Sequence, residues 1–355
     1  MNAENPDHSA MGALTYKCPN CGGELVFDPA EQNYHCPYCQ SRFSQQELDA
    51  ISPAKGETSK ENEAEGEALV YHCPSCGASV ATDAATAASF CYYCHNPVVL
   101  EGRLSGKYMP DRMIPFAIDR DAATAQFLAF VKKKRFVPKD FFCESQIEKM
   151  SGVYYPYWMY DCRMRGGVSG EATRVRVWMA GDEEFTETSV YRVERQGEIA
   201  LEGMTKNALE ASDKALVEGV LPFRTEEMQK FSMSCLSGFY AKKRDIEREA
   251  LEPELRREAG EWARRLLRDS VQGYSTVRVN QDYMETEEEN WQYLLLPVWV
   301  LTYAGKNGRT YYYAMNGQTG KVKGELPADR KKLGIFCGLL GTAVFLLCLL
   351  LGWLI

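Results

Sequence analysis

Eight of the thirteen cysteines are arranged as four Cys-X-X-Cys pairs whose spacing is suited to binding metal. The pairs form two modules of the same design, with fourteen residues between one pair and the next. The first module contains Cys18, Cys21, Cys36 and Cys39, and the second contains Cys73, Cys76, Cys91 and Cys94. Two such pairs facing each other present four thiolates and form a closed tetrahedral zinc site with no open position for water.

Each module is therefore predicted to be a zinc ribbon, with two structural Zn²⁺ ions per chain. A module of this size buries too little surface to fold without its metal. Disulfides are the first alternative, and a reducing compartment disfavours them. Redox-active pairs are the second, and neither module has the thioredoxin-like βαβ pattern. His35, His72 and His95 lie beside the cysteines and are interpreted as neighbours of the ligands, because both four-cysteine sets are complete.

Closed zinc sites are usually structural, so the modules favour an interaction protein over a catalyst. The sequence contains no GxSxG, HExxH or GxGxxG motif. No histidine follows residue 95 to activate the isolated cysteines Cys143, Cys162 and Cys235. We therefore predict that the protein is not an enzyme, with no catalytic residues and no cofactor other than zinc.

The overall charge argues against a nucleic-acid partner. The formal net charge is −8, and neither module has a basic stripe. Tyr38, Tyr92 and Tyr93 could stack on bases if exposed, but they could equally pack a hairpin or contact a protein. Protein binding is favoured, and binding to nucleic acid or to the transcription or replication machinery is the alternative.

The chain is predicted to be an α+β protein of several domains. The predicted segments are a disordered N-terminus over residues 1–13, a zinc ribbon over 14–44, an acidic flexible linker over 45–68, a second ribbon over 69–101, an α+β domain over 102–328 and a transmembrane helix over 333–355. The large domain is expected to be mainly β with inserted helices. Pro156 with Trp158 matches Pro297 with Trp299, which indicates two similar β units.

Two inserted helices are expected in the large domain. Asp119 or Asp121 can cap a helix that runs to about Arg135. A charge-rich segment over residues 245–269 is predicted to be helical and divided by Pro253.

The C-terminal segment is predicted to cross a membrane. From Leu333 to Ile355 the sequence has no charged residue, and at about 1.5 Å per helical residue it is long enough to span a ~30 Å hydrocarbon core. Arg330, Lys331 and Lys332 precede this segment, and basic residues flanking a span favour the cytoplasmic side. The expected location is the cell membrane, single-pass and tail-anchored, with the bulk of the chain in the cytoplasm.

Several motifs together resemble a bacterial family of membrane-anchored, TFIIB-type zinc-ribbon proteins. The matching stretches are residues 73–78, 91–94, 114–116, 152–158, 296–299 and 315–321. Proteins of this kind are often labelled primosomal-helicase-like. The chain has no Walker motif with which to use ATP, so that label is not supported here.

The resemblance implies a function that the residues alone do not give. Similar proteins are associated with SPFH (flotillin-like), phage-shock-A-like and TPM-domain proteins. The chain would then be a non-enzymatic, membrane-anchored adaptor that recruits a protein partner or membrane scaffold during envelope stress. The eight zinc-binding cysteines carry over from the family, and no catalytic residue does.

Overall fold

The structure is a computed structural model, and its architecture is mainly β. It describes residues 13–14, 16–51, 69–72, 79–82, 85–90, 97–100, 104, 106–134, 136–137, 150–210, 214–304, 310–326 and 328–354. Over these ranges it has sixteen strands and five α-helices. The predicted α+β class is therefore wrong, because strands of up to 30 residues form the framework and the helices are inserted between them.

The strands vary widely in length. They are β1 (Ala13–Leu14), β2 (Val26–Asp28), β3 (Asn33–His35), β4 (Arg42–Phe43), β5 (Leu69–His72), β6 (Ser79–Thr82), β7 (Thr86–Phe90), β8 (Pro97–Leu100), β9 (Arg112–Met113), β10 (Ser151–Ala180), β11 (Glu183–Asn207), β12 (Gln229–Lys230), β13 (Tyr240–Lys242), β14 (Thr276–Ala304), β15 (Thr310–Asn316) and β16 (Val322–Gly324).

The helices contain fewer residues in total than the strands. They are α1 (Gln45–Ile51), α2 (Arg120–Lys132), α3 (Lys214–Gly219), α4 (Arg248–Asp269) and α5 (Arg330–Leu354), with 3-10 turns at Gly106–Tyr108, Thr225–Glu227 and Met233–Leu236. Helix α1 occupies the first residues of the predicted linker, and residues 52–68 of that linker lie outside the described residues. The predicted disordered N-terminus also lies outside them, apart from Ala13.

The chain forms two compact units that do not follow the order of the sequence. Unit 1 comprises Met1–Pro156, Ala211–Lys243 and Leu295–Ile355. Unit 2 comprises Tyr157–Glu210 and Arg244–Leu294. The residues of β10 and β14 are therefore divided between the two units, which sequence order alone did not indicate.

A cluster of aromatic side chains lies in the core of unit 1. Phe116 stacks on Phe239 with ring centroids 4.3 Å apart, and the rings of Tyr154 and Trp299 pack around this pair. The Trp299 indole also donates a hydrogen bond to the carbonyl of Ile118 at 3.0 Å. The sheet of this unit has the order β1-β8-β7-β13-β10, with β13 and β10 parallel, and β14-β15-β16 follow as antiparallel neighbours.

Helix α2 is capped and packed as its sequence suggests. The Asp119 carboxylate accepts a hydrogen bond from the backbone N–H of Ala122 at 2.7 Å. It thereby provides an acceptor for one of the N–H groups that have no partner within the first turn of the helix. The helix buries Ala123, Phe127 and Val131 against unit 1. It ends at Lys132, three residues before the predicted end.

In unit 2, helix α4 covers one face of the β10–β11 hairpin. Its buried residues Leu255, Ala259 and Ala263 form a core with aromatic strand residues that include Tyr160 and Tyr293. The helix continues through Pro253 instead of being divided there. Beside that turn, Lys206 pairs with Glu254 and Glu258 at 3.2 and 3.0 Å and fixes the helix to β11.

The predicted membrane placement of the C-terminal segment, which forms helix α5, is wrong. In the described part of the chain, none of the helices combines the length and the apolar character that crossing a membrane requires. Side chains of residues 347–355 lie outside the described residues. The transmembrane helix over 333–355 and the single-pass, tail-anchored location are therefore corrected.

The aromatic core gives a first prediction. Phe116→Ala should lower the unfolding free energy of unit 1 by about 3–5 kcal/mol, because it removes a fully buried ring that contacts three others. Chemical denaturation followed by tryptophan fluorescence measures the change. Tyr312→Ala, at a residue that is 37% exposed, is the control and should cost less than Phe116→Ala. Equal costs for the two variants would contradict the packing described.

Candidate metal centre

The structure brings the four cysteines of the first module together. The Sγ atoms of Cys18, Cys21, Cys36 and Cys39 all lie within 4.8 Å of one another. Cys18 and Cys39 are 3.5 Å apart at their sulfurs, as are Cys21 and Cys36. The predicted metal-binding group at these positions is therefore confirmed as one that can hold an ion such as zinc.

Two turns with the same hydrogen-bond pattern position these sulfurs. In the first turn, the carbonyl of Cys18 accepts from the N–H of Gly22, and the N–H of Cys18 donates to the carbonyl of Gly23. In the second, Cys36 makes the same two bonds with Gln40 and Ser41. Gly22 and Gln40 occupy equivalent places with φ of 75° and 60°. The turn therefore requires a left-handed residue directly after each pair.

The sulfur spacing fits a tetrahedral zinc ion. With Zn–S bonds of about 2.3 Å, tetrahedral geometry separates the sulfurs by about 3.8 Å. The observed separations begin at 3.5 Å and do not exceed 4.8 Å, so small side-chain adjustments suffice. The donor set is all sulfur, which favours zinc over hard cations such as Mg²⁺ or Ca²⁺.

The pKa values of the two exposed thiols, Cys21 and Cys39, are shifted in opposite directions. The hydroxyl and the backbone N–H of Ser41 lower the pKa of Cys39 to about 6. The backbone N–H of Gly23 is the largest single influence on Cys21 and lowers its pKa, but the three neighbouring thiols outweigh it and raise that pKa to about 12. Crowded thiols resist carrying several negative charges, and a bound cation removes this penalty. Metal binding therefore releases protons.

The inner side of the cluster is buried in unit 1. Cys18 and Cys36 are 3% and 0% exposed, whereas Cys21 and Cys39 face solvent. Tyr34, on the strand before Cys36, is fully buried and shares the core that contains both buried cysteines. The ribbon is thus held by the metal-binding turns on one side and by the core of unit 1 on the other.

A buried polar network fixes this contact. The Tyr34 hydroxyl lies 2.8 Å from the Ser234 hydroxyl and also contacts Gln45 at the start of α1. The Gln45 amide in turn donates to the Ser232 hydroxyl at 2.7 Å. Burial strongly raises the pKa of Tyr34, so the phenol stays protonated and acts in this network as a neutral hydroxyl. No spacing in the sequence indicates these partners, because they come from distant segments of the chain.

The cysteines of the second module lie outside the described residues, but their flanking strands are described. The strands around every Cys-X-X-Cys pair have the same register. The residue just before the first cysteine of the pair lies opposite the third residue after its second cysteine. The four closing pairs are Lys17 with Glu24, His35 with Arg42, His72 with Ser79 and Phe90 with Pro97. The strands that flank the second module thus have the same register as those that close the first.

These features define a mainly β protein with a four-cysteine group that can hold a metal ion. The chain is 31% identical over 343 residues to YdjG, an uncharacterized protein of Bacillus subtilis (strain 168), and the match covers 96% of this chain and 98% of YdjG. The chain belongs to the same family as YdjG. No family model matches the sequence, and no solved structure matches the chain.

Sequence reasoning did not identify Ser41 as part of the site. Its position beside Cys39 gives a second prediction. Its hydroxyl lies 3.2 Å from the Sγ of Cys39 and stabilises the thiolate. Ser41→Ala should raise the pKa of Cys39, weaken zinc binding by about tenfold and move the pH of half-maximal zinc binding upward. Competition with a chromogenic chelator between pH 5 and 8 measures both effects. Ser44→Ala, whose hydroxyl contacts Glu47 instead, should leave the zinc midpoint unchanged. An unmoved midpoint in Ser41→Ala would refute this role.

Proposed function

We propose that the protein is a non-catalytic zinc-ribbon adaptor, in which two structural zinc ions shape a surface that binds a protein partner. The observation that carries the proposal is the closed set of four thiolates at Cys18, Cys21, Cys36 and Cys39. Four sulfur ligands fill the coordination sphere of zinc, which leaves no position for an activated water. Such an ion stabilises a fold and does not take part in a reaction.

The second zinc ion is proposed at Cys73, Cys76, Cys91 and Cys94. Support comes from the common hairpin register. The last residue pairs of β5 with β6 and of β7 with β8 have the same positions relative to the cysteines as the closing pairs of the first module. Hairpin β7–β8 is itself buried in unit 1, with Ala87 and Ala88 fully inaccessible. A zinc ion at its end would be attached to a rigid element, as at the first site.

The outer surface of the first ribbon is suited to a protein partner. We call the knuckle surface the five exposed residues that surround the outer sulfurs, namely Pro19, Asn20, Pro37, Tyr38 and Gln40. None of them is charged, and Tyr38 is 68% exposed. Exposed aromatic side chains without charged neighbours are typical of the centres of protein interfaces.

The competing function is binding to nucleic acid or to the transcription machinery. The charges near the ribbon do not favour it, because the exposed Arg42 is paired with Glu31 at 3.5 Å and the knuckle surface has no cation of its own. Following the family resemblance, SPFH (flotillin-like), phage-shock-A-like and TPM-domain proteins are the first partners to test. Recruitment of such a scaffold would be the adaptor's role.

Zinc content gives the third prediction. Elemental analysis of the full-length protein should find two zinc ions per chain, and Cys36→Ser and Cys73→Ser should each retain one. Cys162→Ser is the control, because this buried cysteine lies in unit 2 and should leave both ions bound. A content of one zinc ion per chain in the unsubstituted protein would refute the proposed second site, and a content of zero would refute both sites.

Partner binding gives the fourth prediction. Tyr38→Ala should weaken binding to the captured partner by at least about tenfold, as truncation of a central interface aromatic does. Tyr283→Ala, which removes a tyrosine of unit 2 that is 47% exposed, is the control and should bind normally. Affinity capture followed by titration of the purified partner measures both.

Salt dependence separates the two functions. A protein interface around Tyr38 should change affinity less than about tenfold between 50 and 500 mM salt, because the knuckle surface has no charged residue. A nuclease-sensitive complex whose affinity falls by several orders of magnitude over that range would contradict the adaptor and favour nucleic acid.

A further inference from the structure

The end of the β10–β11 hairpin extends past the residues that cover the rest of unit 2. Beyond Thr173 it is a two-stranded ribbon closed by a turn at Gly181, whose φ is 67°. Val177 and Met179 are 56% and 62% exposed, and Trp178 stacks on Phe185 across the ribbon. An isolated two-stranded ribbon with exposed apolar side chains is marginal in water, so this end is a candidate for association.

The β10 edge of the ribbon has free backbone groups. The carbonyl of Thr173 accepts from the N–H of Ser275, and the N–H of Val175 donates to the Ser275 hydroxyl, so both residues direct their backbone away from β11. Alternate residues of a strand point the same way, which makes Val177 and Met179 the next to do so. Strand β14 begins at Thr276, beside Thr173, and no strand of the described chain pairs with β10 further along this edge.

The two edges of the ribbon differ in charge. On the β11 edge, Glu183, Glu184 and Glu187 form an acidic row, which is a common protection of edge strands against pairing. On the β10 edge, residues 174–180 contain no acidic residue. Both edges of the ribbon have unpaired backbone groups, and the β10 edge is the one without acidic side chains beside them.

We propose that the β10 edge is a dimer interface, in which residues 174–180 pair antiparallel with the same segment of a second copy of this chain. The two-fold axis passes beside Val177, so that this residue lies opposite its own copy. The result is one four-stranded sheet in the order β11, β10, β10 of the second copy and β11 of the second copy. This self-association goes beyond the proposed adaptor function and does not depend on zinc.

The sequence of the segment is self-complementary about Val177. In that register Val175 lies opposite Met179 of the second copy, and Arg176 lies opposite Trp178 of the second copy. Apolar residues thus meet apolar residues, and each guanidinium meets an indole ring, which is a favourable cation–π geometry. No two like charges lie directly opposite each other across the axis.

The neighbouring strand completes the arrangement. Arg176 is already paired in register with Glu187 of β11, so each arginine would lie between a carboxylate and an indole. On the other face, Val175, Val177 and Met179 of the two copies would form one continuous apolar strip. An isologous contact of this kind closes on itself and produces dimers instead of chains.

A charge-exchange experiment on the full-length protein tests the dimer. Val177→Lys and Val177→Glu each place like charges opposite each other and should raise the dissociation constant by more than about 100-fold. Mixing the two variants places Lys opposite Glu and should restore the dimer. Protein mass is measured by size-exclusion chromatography with multi-angle light scattering, in a non-ionic detergent that solvates the exposed apolar residues of α5.

Val190→Lys is the matched control, since this exposed valine lies on β11 opposite Thr173 and outside the proposed interface. The unsubstituted protein and this control should have the mass of two chains, and each Val177 variant alone the mass of one. The proposal is overturned by a monomeric unsubstituted protein at about 50 μM, by a Val177→Lys variant that stays dimeric, or by mixed variants that do not recover the dimer. Recovery on mixing also shows that both variants are folded.

Discussion

The inner half of the first zinc ribbon has no core of its own and is buried in unit 1. Leu25, Phe27 and Tyr34 belong to the same hydrophobic cluster as Phe116 and Phe239. Because a buried hydroxyl without a partner costs about 1–3 kcal/mol, the bonds from Tyr34 to Ser234 and Gln45 fix the orientation of the ribbon as well as its position. A metal ion held by the four cysteines would therefore stabilise the packing of unit 1, and that packing would stabilise the metal site.

This dependence sets which surface remains for a partner. The buried sulfurs of Cys18 and Cys36 face the core, and the exposed sulfurs of Cys21 and Cys39 face solvent with Tyr38 beside them. Gly23 keeps this arrangement compact, because a Cβ atom at that position would lie 2.5 Å from the Tyr38 ring. One four-cysteine centre thus has a side that packs in the core and a side that is exposed to solvent.

The sequence predicted the elements that depend on local chemistry. The Cys-X-X-Cys spacing predicted the metal-binding group, and Asp119, one of the two predicted candidates, is the cap of α2. It did not predict the 30 residues of β10, because alternation gives no signal for where a strand with one solvated face ends. It predicted a mainly β large domain but assigned the chain to the α+β class, because the helical segments have strong periodicity and the strand pairings are distant.

The buried face of α4 shows why a periodic pattern is not enough. Trp262 and Leu266 are large apolar residues of this charge-rich helix, yet both are about half exposed, and Ala263 and Leu267 lie in the core instead. The sheet in unit 2 selects residues at a spacing of four along this helix, which only the packing reveals. Similarly, the Ser232 and Ser234 contacts to the ribbon had no sequence signal, because hydrogen bonds between distant segments leave no local spacing.

Unit 1 is assembled from three segments of the chain, and this has a consequence for synthesis on the ribosome. Tyr34 and its partner Ser234 are 200 residues apart in sequence. At about 5–20 residues per second, roughly 10–40 s pass between the appearance of the two. Throughout that interval the nascent ribbon lacks the surface that will cover Cys18 and Cys36. A zinc ion bound early would hold the four sulfurs in place until the rest of unit 1 emerges, so the availability of metal during translation would set how much of the protein matures.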